Sequence, residues 1–133
     1  MNCVFCKIIA GEIPCQKVFE NEHLVAFLDL HPNNPGHTLF VPKIHSENLL
    51  EVSNEIVVEL MVAIKNFAPQ ILSAVGANGF NLGVNTGSVS GQVIMHTHFH
   101  MIPRFENDGL VHWATKEMSQ EELEKIAEKI RSV

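Results

Sequence analysis

The chain is short of positive charge: nine lysines and arginines stand against fifteen aspartates and glutamates in 133 residues, for a formal net charge of −6. That deficit argues against broad electrostatic binding of nucleic acid or of an anionic membrane, and leaves a small molecule or another protein as the expected partner. Also lacking is an apolar run approaching the ~20 residues of a membrane-spanning helix. The opening MNCVFCKIIAGEIP has neither the basic region nor the long apolar stretch of a secretion signal, so a cytoplasmic location is expected. Three cysteines, Cys3, Cys6 and Cys15, cannot all pair within one chain. A Cys-x-x-Cys in a reducing compartment more often signals metal or redox chemistry than a structural disulfide. There is no internal repeat and no low-complexity segment. With 46% hydrophobic residues the length suits one domain over residues 1–133 with a single core.

Periodicity predicts an α+β unit. Val4, Phe5, Ile8 and Ile9 suggest a short helix ended by Gly11, with Pro14 beyond it. Three strand-like runs follow, Gln16 to Phe19, Leu24 to Asp29 and His37 to Val41, separated by turn-forming EN and HPNNPG. Ser53 is a plausible N-cap for a long helix with apolar positions Ile56, Leu60, Ile64, Phe67, Ile71 and Val75, which Gly76 can end. Pro69 lies inside that run, where a kink or break is expected. Phe80 to Val84 and Val93 to Ile102 read as strands, joined through the Gly- and Ser-rich GSVSGQ loop. Ser119 and Glu122 form a capping box before a final helix with Leu123, Ile126, Ala127 and Ile130 on one face.

The segment HTHFH carries the chemistry. Alternate side chains of a strand share a face, so His96, His98 and His100 are expected on one surface, ~7 Å apart at successive Cα atoms, with Phe99 and Met101 opposite as core. A single histidine is usually incidental; three at a period of two are not. Neutral imidazole can attack phosphorus, bind a metal or donate a proton near pH 7. His-x-His on a strand could equally supply two ligands to zinc or copper, and residue type alone does not separate a nucleophile from a mononuclear metal centre.

The surrounding motifs do. HTHFHMI resembles the His-φ-His-φ-His-φ-φ signature of the histidine triad family, with Thr97 departing from the first apolar position. CVFCKIIAGEIP, AFLD (26–29), GHTLFVPKIH (36–45), NTG (85–87), GQ (91–92) and IPR (102–104) fall in family order. The resemblance covers residues 3–104, and the tail 105–133 adds nothing to it. It implies a five-stranded antiparallel sheet with one long helix and short N- and C-terminal helices, in a homodimer. It further implies a nucleotide hydrolase or transferase that cleaves a phosphoanhydride, phosphoester or phosphoramidate at the α-phosphorus of a purine nucleotide. On this reading His98 is the nucleophile of a covalent nucleotidyl-histidine intermediate. His100 assists at the phosphate or leaving group, and His37 stands behind the catalytic row.

The backbone N–H groups of GSVSGQ, with Gly91 permitting close approach, are expected to hold phosphate oxygens. Gln92 offers an amide donor, and Asn85 matches a family contact to phosphate or sugar. Asp29 is placed on the ribose hydroxyls, although an Asp before Leu30 and Pro32 also suits a turn. Val4, Phe5, Ile8, Phe27 and Leu30 are expected to form the base slot, and each could instead be core. Val93 stands where many relatives carry a hydroxyl that assists the departing group, which puts efficient phosphoramidate cleavage in question.

Cys3 and Cys6 have the spacing that lets two thiolates of one turn reach one metal. The resemblance supplies His45 and His96 as the other ligands of a structural zinc, one per chain. Cys15 has no evident partner, and His23, His31 and His112 are read as surface residues. A nucleotide-binding regulatory protein with vestigial catalysis is the alternative function.

Overall fold

The computed structural model describes residues 2–133. Helix α1 (Val4–Ile9) precedes strands β1 (Lys17–Glu20), β2 (Leu24–Leu28) and β3 (Thr38–Pro42). Then come the long helix α2 (Asn54–Val75), strand β4 (Gly79–Gly83), strand β5 (Phe99–Arg104) and helix α3 (Gln120–Arg131). The strands make the expected five-stranded antiparallel sheet, with every expected element present, and their order in it is β1-β2-β3-β5-β4.

Strand alternation builds a core on each side of the sheet. Leu24 and Ala26 of β2, Phe40 of β3, and Phe99 and Met101 of β5 point to the side covered by α2, where they meet Leu60, Ile64, Ala68 and Ile71. Val25, Phe27, Leu39 and Val41 point to the other side and pack with Cys3 and Phe5 beneath α1. Leu39 pairs with His100 in the β3–β5 register, so His100 shares the α1 side.

Ser53 caps α2 by accepting from the Ile56 N–H, and Gly76 ends it in the left-handed region at φ 73°. The helix is not broken at Pro69. Leu60, Ile64 and Ile71 are all buried, and each contributes about 1.5–3 kcal/mol. Together they outweigh the ~3 kcal/mol of an interior proline. Because the helix runs through, α2 has 22 residues and is long and apolar enough in composition to cross a membrane. This corrects the reading that no such run exists. In this fold its inward stripe covers the sheet instead.

A second correction concerns β5. Regular pairing begins at Phe99 rather than Val93. Through the preceding stretch the chain is held by other bonds: Thr97 N–H donates to Ser46 O at 2.8 Å, and the His98 ring turns back on its own backbone.

Gly36 precedes β3 at φ +87°, and an added Cβ would lie 3.0 Å from a Val75 methyl and 3.1 Å from Pro103. Both the backbone conformation and the close approach require glycine there. At the end of β5, Arg104 binds Asp108 through Nε at 2.7 Å and Nη2 at 2.9 Å, fixing where the C-terminal segment departs. Its helix α3 has the expected capping box, yet none of its residues is buried.

Candidate active site

The expected common face of the three histidines survives in a modified form. Only His100 sits within the regular strand, and the rings are brought together by packing as well as by pleat. The His98 and His100 ring centroids are 4.9 Å apart. Phe5 of α1 lies edge-on to both His98 at 5.0 Å and His96 at 5.9 Å.

Hydrogen-bond partners fix the tautomer of each ring. His98 Nδ1 lies 2.7 Å from the His96 carbonyl oxygen, which can only accept, so Nδ1 carries the proton and donates. Nε2 of His98 therefore holds the free lone pair. In the second pair, the Asn33 N–H donates to His37 Nδ1 at 3.1 Å, which leaves the proton of a neutral His37 on Nε2. That Nε2–H donates to His100 Nδ1 at 2.9 Å, and His100 in turn carries its proton on Nε2. One histidine of the row thus presents a free lone pair and the next presents a donor.

Burial keeps this set neutral. His98 and His37 are 8% and 2% exposed. Desolvation pushes both imidazoles below the ordinary range, opposed for His98 by the bond to His96 O and for both by the Asp29 carboxylate. His100 is pushed down to about 4 by burial and then by repulsion from His98 and His37.

Asp29 lies just beyond β2. Its Oδ1 accepts from the His31 N–H at 2.9 Å and its Oδ2 stands 3.5 Å from His37 Nε2. Asp29, His37 and His100 offer ligand atoms within 4.8 Å of one another. A cation bound at His37 Nε2 would, however, drive that ring's proton onto Nδ1, against the Asn33 N–H. The donor set fits a hydrogen-bonded chain better than a metal.

Around the Gly-rich loop, Gln92 is buried, accepts from the Gly87 N–H at 2.9 Å, and donates to Glu47 O at 2.6 Å and Ile94 O at 3.1 Å. Both of its N–H bonds are thereby used in shaping the loop. Gly91 takes φ +104°, and an added Cβ would meet the Asn85 amide at 3.3 Å. Val93 is 87% exposed. Of the five base-slot candidates, Phe5 and Phe27 are buried at 5.5 Å edge-to-face and Ile8 packs against them, whereas Val4 and Leu30 are exposed. Sequence reasoning missed Asn33, whose contribution is a backbone N–H and has no residue signature, and the His96 carbonyl for the same reason.

The second cluster is a four-sided cage. Cys3 N-caps α1 and Cys6 lies one turn on. Cys3 Sγ is 3.4 Å from His96 Nδ1, Cys6 Sγ is 3.5 Å from His45 Nδ1 and 3.6 Å from His96 Nδ1, and the two Nδ1 atoms are 3.2 Å apart. Tetrahedral zinc with ordinary bond lengths sets its ligands about 3.3 Å apart for two nitrogens and about 3.6 Å for nitrogen and sulfur. His96 Nε2 donates to the Pro42 carbonyl at 2.8 Å, which frees Nδ1 for a metal and orients the ring. The residues present therefore fit a metal ion.

The HIT domain model matches residues 10–107. The chain belongs to the histidine triad family. It is 47% identical to an uncharacterized HIT-like protein of Methanocaldococcus jannaschii over 82% of this chain and 84% of that one. It is 37% identical to adenosine 5'-monophosphoramidase hnt1 of Schizosaccharomyces pombe, covering 99% and 98%. A crystal structure from Streptococcus mutans superposes with a TM-score of 0.92 at 38% identity, covering 99% of this chain and 85% of that chain. A Zn-bound histidine triad family protein from Mycobacterium smegmatis superposes at 0.79 with 29% identity, covering 99% and 97%. The histidine triad fold is thus shared with solved relatives, and the M. smegmatis protein among them binds zinc.

Proposed function

We propose that this histidine triad protein is a nucleotide hydrolase or transferase that forms a covalent nucleotidyl-histidine at His98. The observation that carries the reading is the pair of opposed tautomers, a lone pair on His98 Nε2 beside an N–H on His100 Nε2. His98 Nε2 attacks the α-phosphorus, the bond to the leaving group breaks, and the electron pair leaves with that group. Because His98 keeps its Nδ1–H, the attached imidazole becomes cationic and is itself a good leaving group when water attacks in the second step. His100 Nε2–H donates to the phosphate or the departing atom, and N–H groups of the 87–92 loop receive the phosphate oxygens. Asp29 takes the ribose hydroxyls, Asn85 stands near the phosphate, and Val4, Phe5, Ile8, Phe27 and Leu30 surround the purine, with Phe5 and Phe27 as its floor. A relative 37% identical to this chain is named an adenosine 5'-monophosphoramidase, which supports this substrate class.

Hydrolysis of a dinucleoside polyphosphate in ¹⁸O water tests the site of attack. The label is expected in the nucleoside monophosphate product; label in the polyphosphate product contradicts it. The pH profile adds a second check. Attack needs unprotonated His98, whose burial lowers its pKa, so the acid limb of kcat/KM is expected below pH 6.5. A limb centred at 6.5 or above would contradict the buried geometry. Stability follows the same sign: these depressed histidines stabilise the fold fully above pH 6.5 and lose that contribution as pH falls through their folded values.

The cage is assigned one structural zinc per chain, in a cytoplasmic setting that keeps Cys3 and Cys6 reduced. With Cys3, Cys6, His45 and His96 all as ligands, a bound zinc would have no open position and would supply folding energy rather than chemistry. The protein is assigned as a homodimer. Strand β4 is a sheet edge with Phe80 and Leu82 about 40% exposed, and a groove of about 430 Å³ beside it is lined by Met61, Ile64, Ala68 and Leu72 of α2. Sedimentation equilibrium is expected to give the mass of two chains; a monomer at micromolar concentration would overturn the assignment.

A further inference from the structure

The carboxylate of Asp29 stands beside the histidine chain, 3.5 Å from His37 Nε2. Backbone pairing brings it there: Asp29 N–H donates to His37 O at 3.0 Å, and His37 N–H donates to Asn34 O at 3.1 Å, closing the loop between them. Asn34 then ties that loop to β5 and the C-terminal segment, through Pro103 O at 2.9 Å and Asp108 Oδ2 at 3.0 Å. The Asp29 side chain is held at Oδ1 by the His31 N–H. Its other oxygen, Oδ2, is thereby fixed 3.5 Å from His37 Nε2, the atom that also donates to His100.

We propose that Asp29 is a positioning residue of the reaction in addition to a ribose ligand: acting through His37, its carboxylate holds His100 in the tautomer that presents Nε2–H to the departing group. This rests on the reading of His98 as the nucleophile. The physical reason is one of sign. A carboxylate oxygen repels a lone pair and attracts a proton, so a tautomer of His37 with a bare Nε2 facing Oδ2 is disfavoured. The Asn33 N–H enforces the same choice from the other side of the ring. With His37 fixed as an Nε2 donor, His100 Nδ1 must accept. His100 can then place its one proton only on Nε2. Reversal of the chain would turn a lone pair of His100 toward an anionic phosphate, where it repels instead of donating.

Asp29 is also the acidic group whose charge reaches His37, His98 and His100. Facing His100 from the other elements are His98 and His37, both neutral, and no opposing cation is among them. The role is therefore electrostatic and not replaceable by an amide of the same shape.

The test uses the full chain, the Asp29→Asn variant, and two substrates: an adenylated amine and its 2′,3′-dideoxy counterpart. The substituted amide keeps an oxygen for the His31 N–H, and a thermal melt checks the fold. A ribose ligand alone would raise KM on the ribose substrate and leave the dideoxy substrate turned over as by the wild type. The positioning role predicts that kcat on the dideoxy substrate also falls, by about tenfold or more. It further predicts that the ¹⁵N resonances of His100, assigned with a His100→Asn control, move away from the Nε2–H pattern. Unchanged dideoxy kcat, or an unchanged ¹⁵N pattern, overturns the inference. The spectrum requires no turnover, so a wild type that forms no His98 adduct would count against the nucleophile alone, and the tautomer of His100 would still decide the role of Asp29.

Discussion

Replacing His98 with alanine is expected to lower turnover of an adenylated amine by about 10⁴-fold or more, while a nucleoside monophosphate still binds within a few-fold of the wild type. The size follows from what is removed. Without the imidazole there is no nucleophile of comparable strength with a free lone pair in the row, because His100 Nδ1 is occupied by His37 and His96 Nδ1 faces the cage. Binding persists because phosphate, ribose and base are assigned to the 87–92 loop, to Asp29 and to the apolar residues around Phe5. His98 also packs against Phe5, so the variant should melt a few degrees lower. The measurement is steady-state kinetics beside calorimetric binding. Turnover retained by His98→Ala but lost on chelation would point to the metal as the catalyst instead.

The second large effect is expected from the cage. Removing the metal with a strong chelator should lower the melting temperature by about 10 °C or more, as should Cys6→Ser, with zinc restoring the wild type and not the variant. The reason lies in what the four ligands join. Cys3 and Cys6 belong to α1 and its N-cap, His45 follows β3, and His96 precedes β5, so one ion bound by all four would tie three separate parts of the chain. Without it, two Nδ1 atoms 3.2 Å apart and two thiols face one another with no cation between them. Burial holds the Cys6 thiol above its usual pKa, which disfavours the thiolate unless a cation offsets it, as a bound zinc would. Differential scanning fluorimetry with metal analysis reads this directly. A melting temperature indifferent to chelation would rule out a structural role for zinc.

Much of this molecule was legible in its sequence because the relevant physics is local. Ser53, Gly76 and the Ser119–Glu122 box announce helix ends through capping groups that lie within a few residues. Period-two burial announced Phe99 and Met101. The cage was legible because thiol and imidazole have few other reasons to recur at those positions. What was not legible depends on contacts distant in sequence. Pro69 reads as a break until the burial of Leu60, Ile64 and Ile71 against the sheet is known. The run from Val93 reads as strand until His98 is seen bonded to His96 O and Thr97 to Ser46 O. The tautomers rest on the backbone of Asn33 and of His96, which any residue would supply. Phe5 and Phe27 read equally as slot or core; both are buried, with Phe27 edge-on to Phe5 and Phe5 edge-on to His98.

The proposed chemistry turns on a covalent bond between His98 and a nucleotide. Rapid acid-free quenching of the protein with an adenylated amine, followed by intact-mass and peptide mass spectrometry, tests it most directly. One adenylyl group per chain is expected, mapped to His98, appearing and decaying within a single turnover and absent from His98→Ala. Full turnover with no adduct at any time, or an adduct mapped to a different residue, would contradict it.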